Sequence, residues 1–331
     1  MYQAQFQNLG EYLMLINGKW SKDFHPVQAS DKEGRFLRYS SQYRNWITLD
    51  GTAGPTGKAG FAAEPDRYHL YIALICPWAC RTLMARKLKK LEGIISVSVV
   101  EPFLGPQSWA FGDYLAADHE PFYGYRYVHE LYSHADSDYT GQVTVPVLWD
   151  KKQQTIVNNE SADIIRMLNN GFGDLADNTI DLYPESLQVE IDRINDYLYE
   201  RFNNGVYQAG FATNQSAYEE AVDKVFESIE YLEQHMKNRM YLVGEQITEA
   251  DIRAFVTLIR FDVAYYGLFK TNLAQVQDFT RVLAYMKRIY NYLEISDTVN
   301  FDHIKQGYYS MKALNPQGIV PKGPDLSYLK L

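Results

Sequence analysis

The feature that most constrains the fold is the order of the apolar periods, which changes character once, near residue 185. Before that point strand and helix signals alternate. Beyond it every strong signal is helical. The run "RYHLYIAL" (67–74) is dense in aromatic and aliphatic residues, as a buried strand is. It feeds into "CPWACRTL" (76–83), where Cys76 reads as an N-cap and Pro77 as the first helical residue, a place where a missing N–H does no harm. Gly93 supplies a stop for that helix. "ISVSVVEP" (95–102) alternates Ser and Val with the period of a half-buried strand. Two more short strands are expected at "VTVPVLWD" (143–150) and "QTIVNN" (154–159), then a helix with an acidic first turn at "ESADIIRML" (160–168). Strand, helix, strand, then strand, strand, helix is the order of an α/β thioredoxin-like fold. A segment over 103–142 is an insert into it.

The rest reads as an all-α helical bundle. "ESLQVEIDRINDYLYERF" (185–202) carries Leu187, Ile191, Ile194 and Leu198 at 3–4 spacing. "SAYEEAVDKVFESIEYLEQHM" (216–236) repeats the pattern. "TEADIRAFVTLIRF" (248–261) opens with Thr248 and Asp251 in capping-box spacing. A fourth helix is expected near "RVLAYMKRIYNYL" (281–293). The expected division is an N-terminal extension and Gly/Pro/Thr-rich loop (1–62), a thioredoxin-like domain (63–172), a helical domain (185–312) and an extended tail (313–331). A chain of 331 residues, 46% hydrophobic, can build two cores.

The net charge of −9 argues against non-specific binding to nucleic acid. The one dense basic run, "KLKK" (87–90), reads as the wet face of a helix. No apolar run reaches the roughly 18 residues of a membrane span. The start, "MYQAQFQNLGEYLML", lacks the pattern of a signal peptide. Two cysteines in the chain is a cytosolic level of use. The expectation is a soluble cytoplasmic protein.

Both cysteines fall in one short stretch. A strand that runs into Cys76-Pro77 puts this sulfur at a helix N-terminus, where backbone N–H groups and the helix dipole favour the thiolate. The alternative is an inert buried thiol, since cysteine is often fully buried. Cys80 lies one turn down, its Cα about 6 Å away, near the long end for a disulfide. A structural role is the expectation for Cys80, with a transient disulfide to Cys76 as the alternative. Of the histidines (His25, His69, His119, His129, His134, His235, His303) none forms a zinc-ligand spacing with the cysteines, so no metal is expected. His129 and His134 are a weak pair.

Val145-Pro146 is expected to be cis and to face Cys76, with the Val145 backbone offered to an extended peptide. Glu160 and Ser161 fit two readings, ordinary capping or a grip on an amino-acid head group. Glutathione, a peptide thiol with a free α-amino-acid end, satisfies both halves.

The layout resembles the cytosolic glutathione transferases. The closer likeness is to the glutathionyl-hydroquinone reductases, or Xi class. It rests on "SSQYRNWITLDG" (40–51), "RYHLYIALICPWACRTL", "SVSVVEP", "SWAFGD" (108–113), "VTVPVLWD", "TIVNNESADIIRMLN", "NNGVYQAGFATNQSAYEEAV" (203–222) and "NPQGIVPKGP" (315–324), which together span nearly the whole chain. The resemblance implies a reaction. Cys76 takes the glutathionyl group from a hydroquinone as a mixed disulfide, and a second glutathione releases it. It also implies roles. Trp109 lies against glutathione as co-substrate, Val145 pairs with its backbone with Pro146 beside it in the binding site, and Glu160 and Ser161 hold its γ-glutamyl end. The aromatic site uses tyrosines as catalytic residues, a phenol hydroxyl to hydrogen-bond and protonate the leaving quinol and a ring to stack on it; Tyr199 is the first choice and Tyr308 the second. A homodimer through the helical domain is implied, with glutathione and glutathionylated quinols as partners. Three positions depart from the pattern: Cys80 stands for His, Ser108 for Gly, and Gln142 for an Arg that would contact a glutathione carboxylate. Other readings are a glutaredoxin-like thiol transferase using the same Cys76, and a non-catalytic binding module.

Overall fold

A computed structural model of the chain describes residues 14–21 and 30–329. Outside the described residues lie 1–13 and 22–29 of the expected N-terminal extension, most of the segment read as lacking a signal peptide, His25, and residues 330 and 331 of the expected tail.

A short hairpin, β1 (Leu15–Ile16) and β2 (Lys19–Trp20), comes first. β3 (Tyr68–Ile72) is buried at every position, which explains its unbroken apolar run. It leads into α1 (Pro77–Leu88), and β4 (Ser96–Val99) returns parallel to β3, His69 opposite Ser96. The insert carries a second hairpin, β5 (Leu104–Gly105) and β6 (Ser108–Trp109), and a helix, α2 (Val128–Ala135). Antiparallel strands β7 (Val147–Asp150) and β8 (Thr155–Asn158) and then α3 (Ser161–Asn170) complete the unit. The sheet runs β4-β3-β7-β8, the thioredoxin-like arrangement expected from the element order. At its base the buried Arg67 guanidinium meets the buried Asp150 carboxylate at 2.6 Å. Removing one partner of such a pair costs about 3–5 kcal/mol, because a buried charge is left alone.

The helical half holds α4 (Gln188–Leu198), α5 (Gly205–Gly210), α6 (Gln215–His235), α7 (Glu249–Arg260), α8 (Tyr266–Leu268), α9 (Thr280–Tyr290) and α10 (Phe301–Tyr309). The Thr248/Asp251 capping box forms at the start of α7. Two of these helices end in a π turn, 199–203 after α4 and 261–265 after α7. A π turn inserts a residue and shifts which side chains face inward. α7 packs on α1, so the second half closes over the start of the Cys76 helix.

Three details differ from the sequence reading. The run at 87–90 is not a wet helix face. Lys89 is 1% exposed, with Nζ donating to the Ile180 carbonyl, and Lys90 leaves the helix in the left-handed region at φ 51°. The segment that follows α3 crosses this helix end and covers it. The helix therefore stops at Leu88, ahead of Gly93. Finally, α10 carries Gly307 in mid-helix, a residue that weakens a helical signal. A Cβ there would come within 2.5 Å of both Ile75 Cδ1 and the Pro102 carbonyl. Glycine lets α10 close on the turn between β3 and α1 and sets the next residue, Tyr308, in the same cavity as Cys76.

Candidate functional site

Cys76 is the N-cap of α1 with Pro77 behind it, as its position after the strand requires. Its thiol donates to the Val145 carbonyl at 3.6 Å, and Val145-Pro146 is cis. The two pieces expected to meet do meet. The expected electrostatics do not hold in the free protein. Burial pushes the Cys76 thiol up. The N–H of Ala79, the Arg260 guanidinium, the N–H of Trp78 and the Arg38 guanidinium pull the other way without winning. Desolvation of a thiolate outweighs a helix start when the sulfur sits in an apolar wall. Arg260 is itself buried and donates to the carbonyls of Leu74, Ile75 and Val256, each at 2.9 Å.

Cys80 points elsewhere. It is 1% exposed and its sulfur lies 3.5 Å from the Thr298 carbonyl. Both thiols are free.

Cys76 opens on a cavity of about 320 Å³, the size of a small-ligand site. One wall comes from Trp109, Gln142, Val145, Pro146, Glu160 and Ser161. Glu160 both caps and lines. One carboxylate oxygen accepts from the Ala162 N–H at 3.2 Å while the other takes the Ser41 hydroxyl at 3.0 Å. Ser161 is buried at the first turn of α3. Arg44 lines the same side, and its guanidinium forks onto Asp163 of that turn. Ser108, where the resemblance expected Gly, holds φ 63°, a left-handed conformation that glycine adopts without steric cost.

The facing wall is aromatic: Trp78, Tyr199, Tyr207, Phe211 and Tyr308. Tyr199 sits in the π turn after α4, its ring 6.0 Å from Trp78. Its hydroxyl makes no hydrogen bond with a described residue. Tyr308 is the centre of a hydroxyl chain, 2.7 Å from the Tyr207 oxygen and 2.9 Å from the Tyr265 oxygen. Burial pushes all three phenols up, and at Tyr207 the nearby Cys76 adds to the rise, so the chain stays protonated. Sequence reading missed Tyr207 and Tyr265. Tyr207 had a signal, since it falls eight residues after Tyr199 in "YERFNNGVY", about two helical turns on and so on the same face. Tyr265 had none; the second π turn brings it in.

The two histidines five apart serve packing: His129 stacks on Trp20 at 4.8 Å, and His134 pairs with the Tyr125 hydroxyl at 2.9 Å. Among the described residues no group of three or more His, Cys, Asp or Glu side chains is arranged to hold a metal ion, and no helix is long and apolar enough to cross a membrane.

Comparison with known proteins gives matches along most of the chain. Residues 75–170 match the family "Glutathione S-transferase, N-terminal domain", and residues 215–288 match "Glutathione S-transferase, C-terminal domain". The glutathionyl-hydroquinone reductase YqjG of Escherichia coli K12 is 50% identical over 312 residues, 94% of each chain. The glutathionyl-hydroquinone reductase PcpF of Sphingobium chlorophenolicum is 45% identical over 314 residues, 94% of this chain and 96% of that one. Among solved structures, glutathione-bound YqjG superposes with a TM-score of 0.88 at 48% identity, covering 96% of this chain and 97% of that chain. The Xi transferase of Phanerochaete chrysosporium superposes at 0.84 with 45% identity, covering 90% of this chain and 97% of its own.

Proposed function

This chain belongs to the glutathione S-transferase family, and from that premise we propose that it is an enzyme of the Xi class that reduces glutathionyl-hydroquinones with glutathione. The observation that carries the reading is a single thiol, Cys76, between a peptide-binding wall and an aromatic wall of one cavity.

The chemistry follows from that placement. Trp109, the Val145-Pro146 backbone, Glu160 and Ser161 hold the glutathionyl part with its sulfur at Cys76. The Cys76 thiolate attacks that sulfur. An S–S bond forms as the aryl C–S bond breaks, and the electron pair goes to the ring carbon, which takes up a proton. The ring carbon is reduced and the two sulfurs become a mixed disulfide. The thiolate of a second glutathione attacks the glutathione sulfur of that disulfide, giving glutathione disulfide and returning Cys76. The proton donor is best placed in the Tyr207–Tyr308 pair, whose phenols stay protonated and line the same cavity as the thiol. Tyr199, the first choice from sequence, contributes ring surface to the aromatic site. The same reading carries a homodimer through the helical half, a cytoplasmic location, no nucleic-acid or membrane partner, and a division into glutathione-binding (63–172) and helical (185–312) domains.

A glutaredoxin-like transferase would use the same thiol. The aromatic wall favours the hydroquinone, because a small disulfide has no need of a cavity side lined by five aromatic rings. The test is Cys76→Ser assayed with glutathionyl-menadiol and glutathione. Turnover should vanish; retained turnover would remove the mechanism.

A further inference from the structure

Three charged residues line the cavity: Arg38, Arg44 and Glu160. Two are occupied within the protein. Arg44 is committed to Asp163, and Glu160 to Ser41 and the Ala162 N–H. Arg38 differs. Its guanidinium lies 4.7 Å from the Trp78 ring, 4.9 Å from Tyr207 and 5.1 Å from Phe36. Its Nε donates at 2.7 Å to the Oδ1 of Asn204, a buried side chain. No described carboxylate pairs with it, and its two Nη groups donate to no described residue. Three rings and one amide thus fix a guanidinium fork at the rim of the aromatic wall with its outer donors unused. In a chain of net charge −9 this is a local reversal of sign.

The fork stands on the quinol side. Trp78 and Tyr207 belong to the aromatic wall, whereas Gln142, which replaces the Arg expected for a glutathione carboxylate, lies with Val145 on the other. An aromatic cage holds a guanidinium in place without neutralising it. A planar fork with free N–H groups matches a carboxylate in bidentate geometry.

We propose that Arg38 is a specificity-determining residue that selects glutathionyl-hydroquinones bearing a carboxylate on the ring. The inference rests on the reductase reading above and names the substrate class of that site. A charge-assisted pair of this kind is worth about tenfold to a hundredfold in kcat/KM.

The experiment compares two adducts that differ in one group, glutathionyl-hydroquinone and the glutathionyl adduct of 2,5-dihydroxybenzoate. The readout is the ratio of their kcat/KM values in wild type, Arg38→Met and Arg38→Lys. Wild type should prefer the carboxylated adduct about tenfold or more. Arg38→Met should erase that preference whatever its absolute rate, and Arg38→Lys should keep part of it. A wild-type ratio near one overturns the proposal. So does an Arg38→Met ratio equal to the wild-type ratio. Equal loss on both adducts with a raised KM for glutathione would place Arg38 on a glutathione carboxylate and overturn it too. Failure of the reductase reading looks different: wild type would turn over neither adduct.

Discussion

One wall of the cleft is made of element ends. Cys76 caps α1, Val145 and Pro146 precede β7, and Glu160 and Ser161 start α3. The opposite wall is made of side chains from segments far apart in sequence: Trp78 from α1, Tyr199 from a π turn, Tyr207 from α5 and Tyr308 from α10, with Tyr265 of the second π turn buried behind Tyr308. The first wall offers backbone groups and a thiol and suits a peptide whose shape never varies. The second offers rings and hydroxyls and suits an aromatic partner. A thiol between them can take sulfur from one side and hand carbon back to the other. The two walls should therefore fail in different ways when cut.

The largest effect belongs to the thiol that joins the walls. Cys76→Ser should lower turnover by on the order of 10⁴-fold or more, since no other group supplies the nucleophile. On the aromatic wall, Tyr207→Phe should lower kcat by roughly 100-fold, the scale of a lost general acid, with little change in KM for glutathione. Tyr199→Phe removes a hydroxyl that has no described partner and should cost less than about tenfold. Equal losses in the two variants, read by steady-state kinetics, would break the assignment of the proton to the Tyr207–Tyr308 pair. On the peptide wall, Ser161→Ala should raise KM for glutathione about tenfold, the value of one hydrogen bond to a carboxylate, and leave kcat nearly untouched.

The smallest effect is a shift in pH. Burial disfavours the charged thiolate of Cys76, so its half-ionisation moves up. Alkylation of the free protein by iodoacetamide should still be accelerating at the pH where an ordinary thiol, ionising near about 8.5, levels off. A rate that has levelled by neutral pH would show instead that the helix start and the arginines dominate.

The first wall was legible in the sequence because its parts are punctuation. A strand that ends in Cys-Pro, a Val-Pro before a strand and a Glu-Ser before a helix state the local geometry in consecutive residues. The second wall was legible only in part. "TEADIRAFVTLIRF" shows a helix from its capping box, but nothing local says that a π turn follows and swings Tyr265 inward. Among 27 tyrosines, Tyr308 was found by resemblance and Tyr207 was passed over for its neighbour two turns back. Electrostatics were the least legible. The helix-start argument for Cys76 is local, while the desolvation that reverses it comes from packed neighbours in both halves of the chain. The buried Lys89 has the same origin, since the residues that cover it, Asp177 and Ile180, come from the segment beyond α3.

The central claim is that one thiol, set between the two walls, forms the intermediate. Intact-mass analysis of the protein after exposure to a glutathionyl-hydroquinone, with no free glutathione added, tests it most directly. Wild type and Cys80→Ser should each gain one glutathione, and Cys76→Ser none. An adduct that persists on Cys76→Ser, or that disappears with Cys80→Ser, would contradict the account.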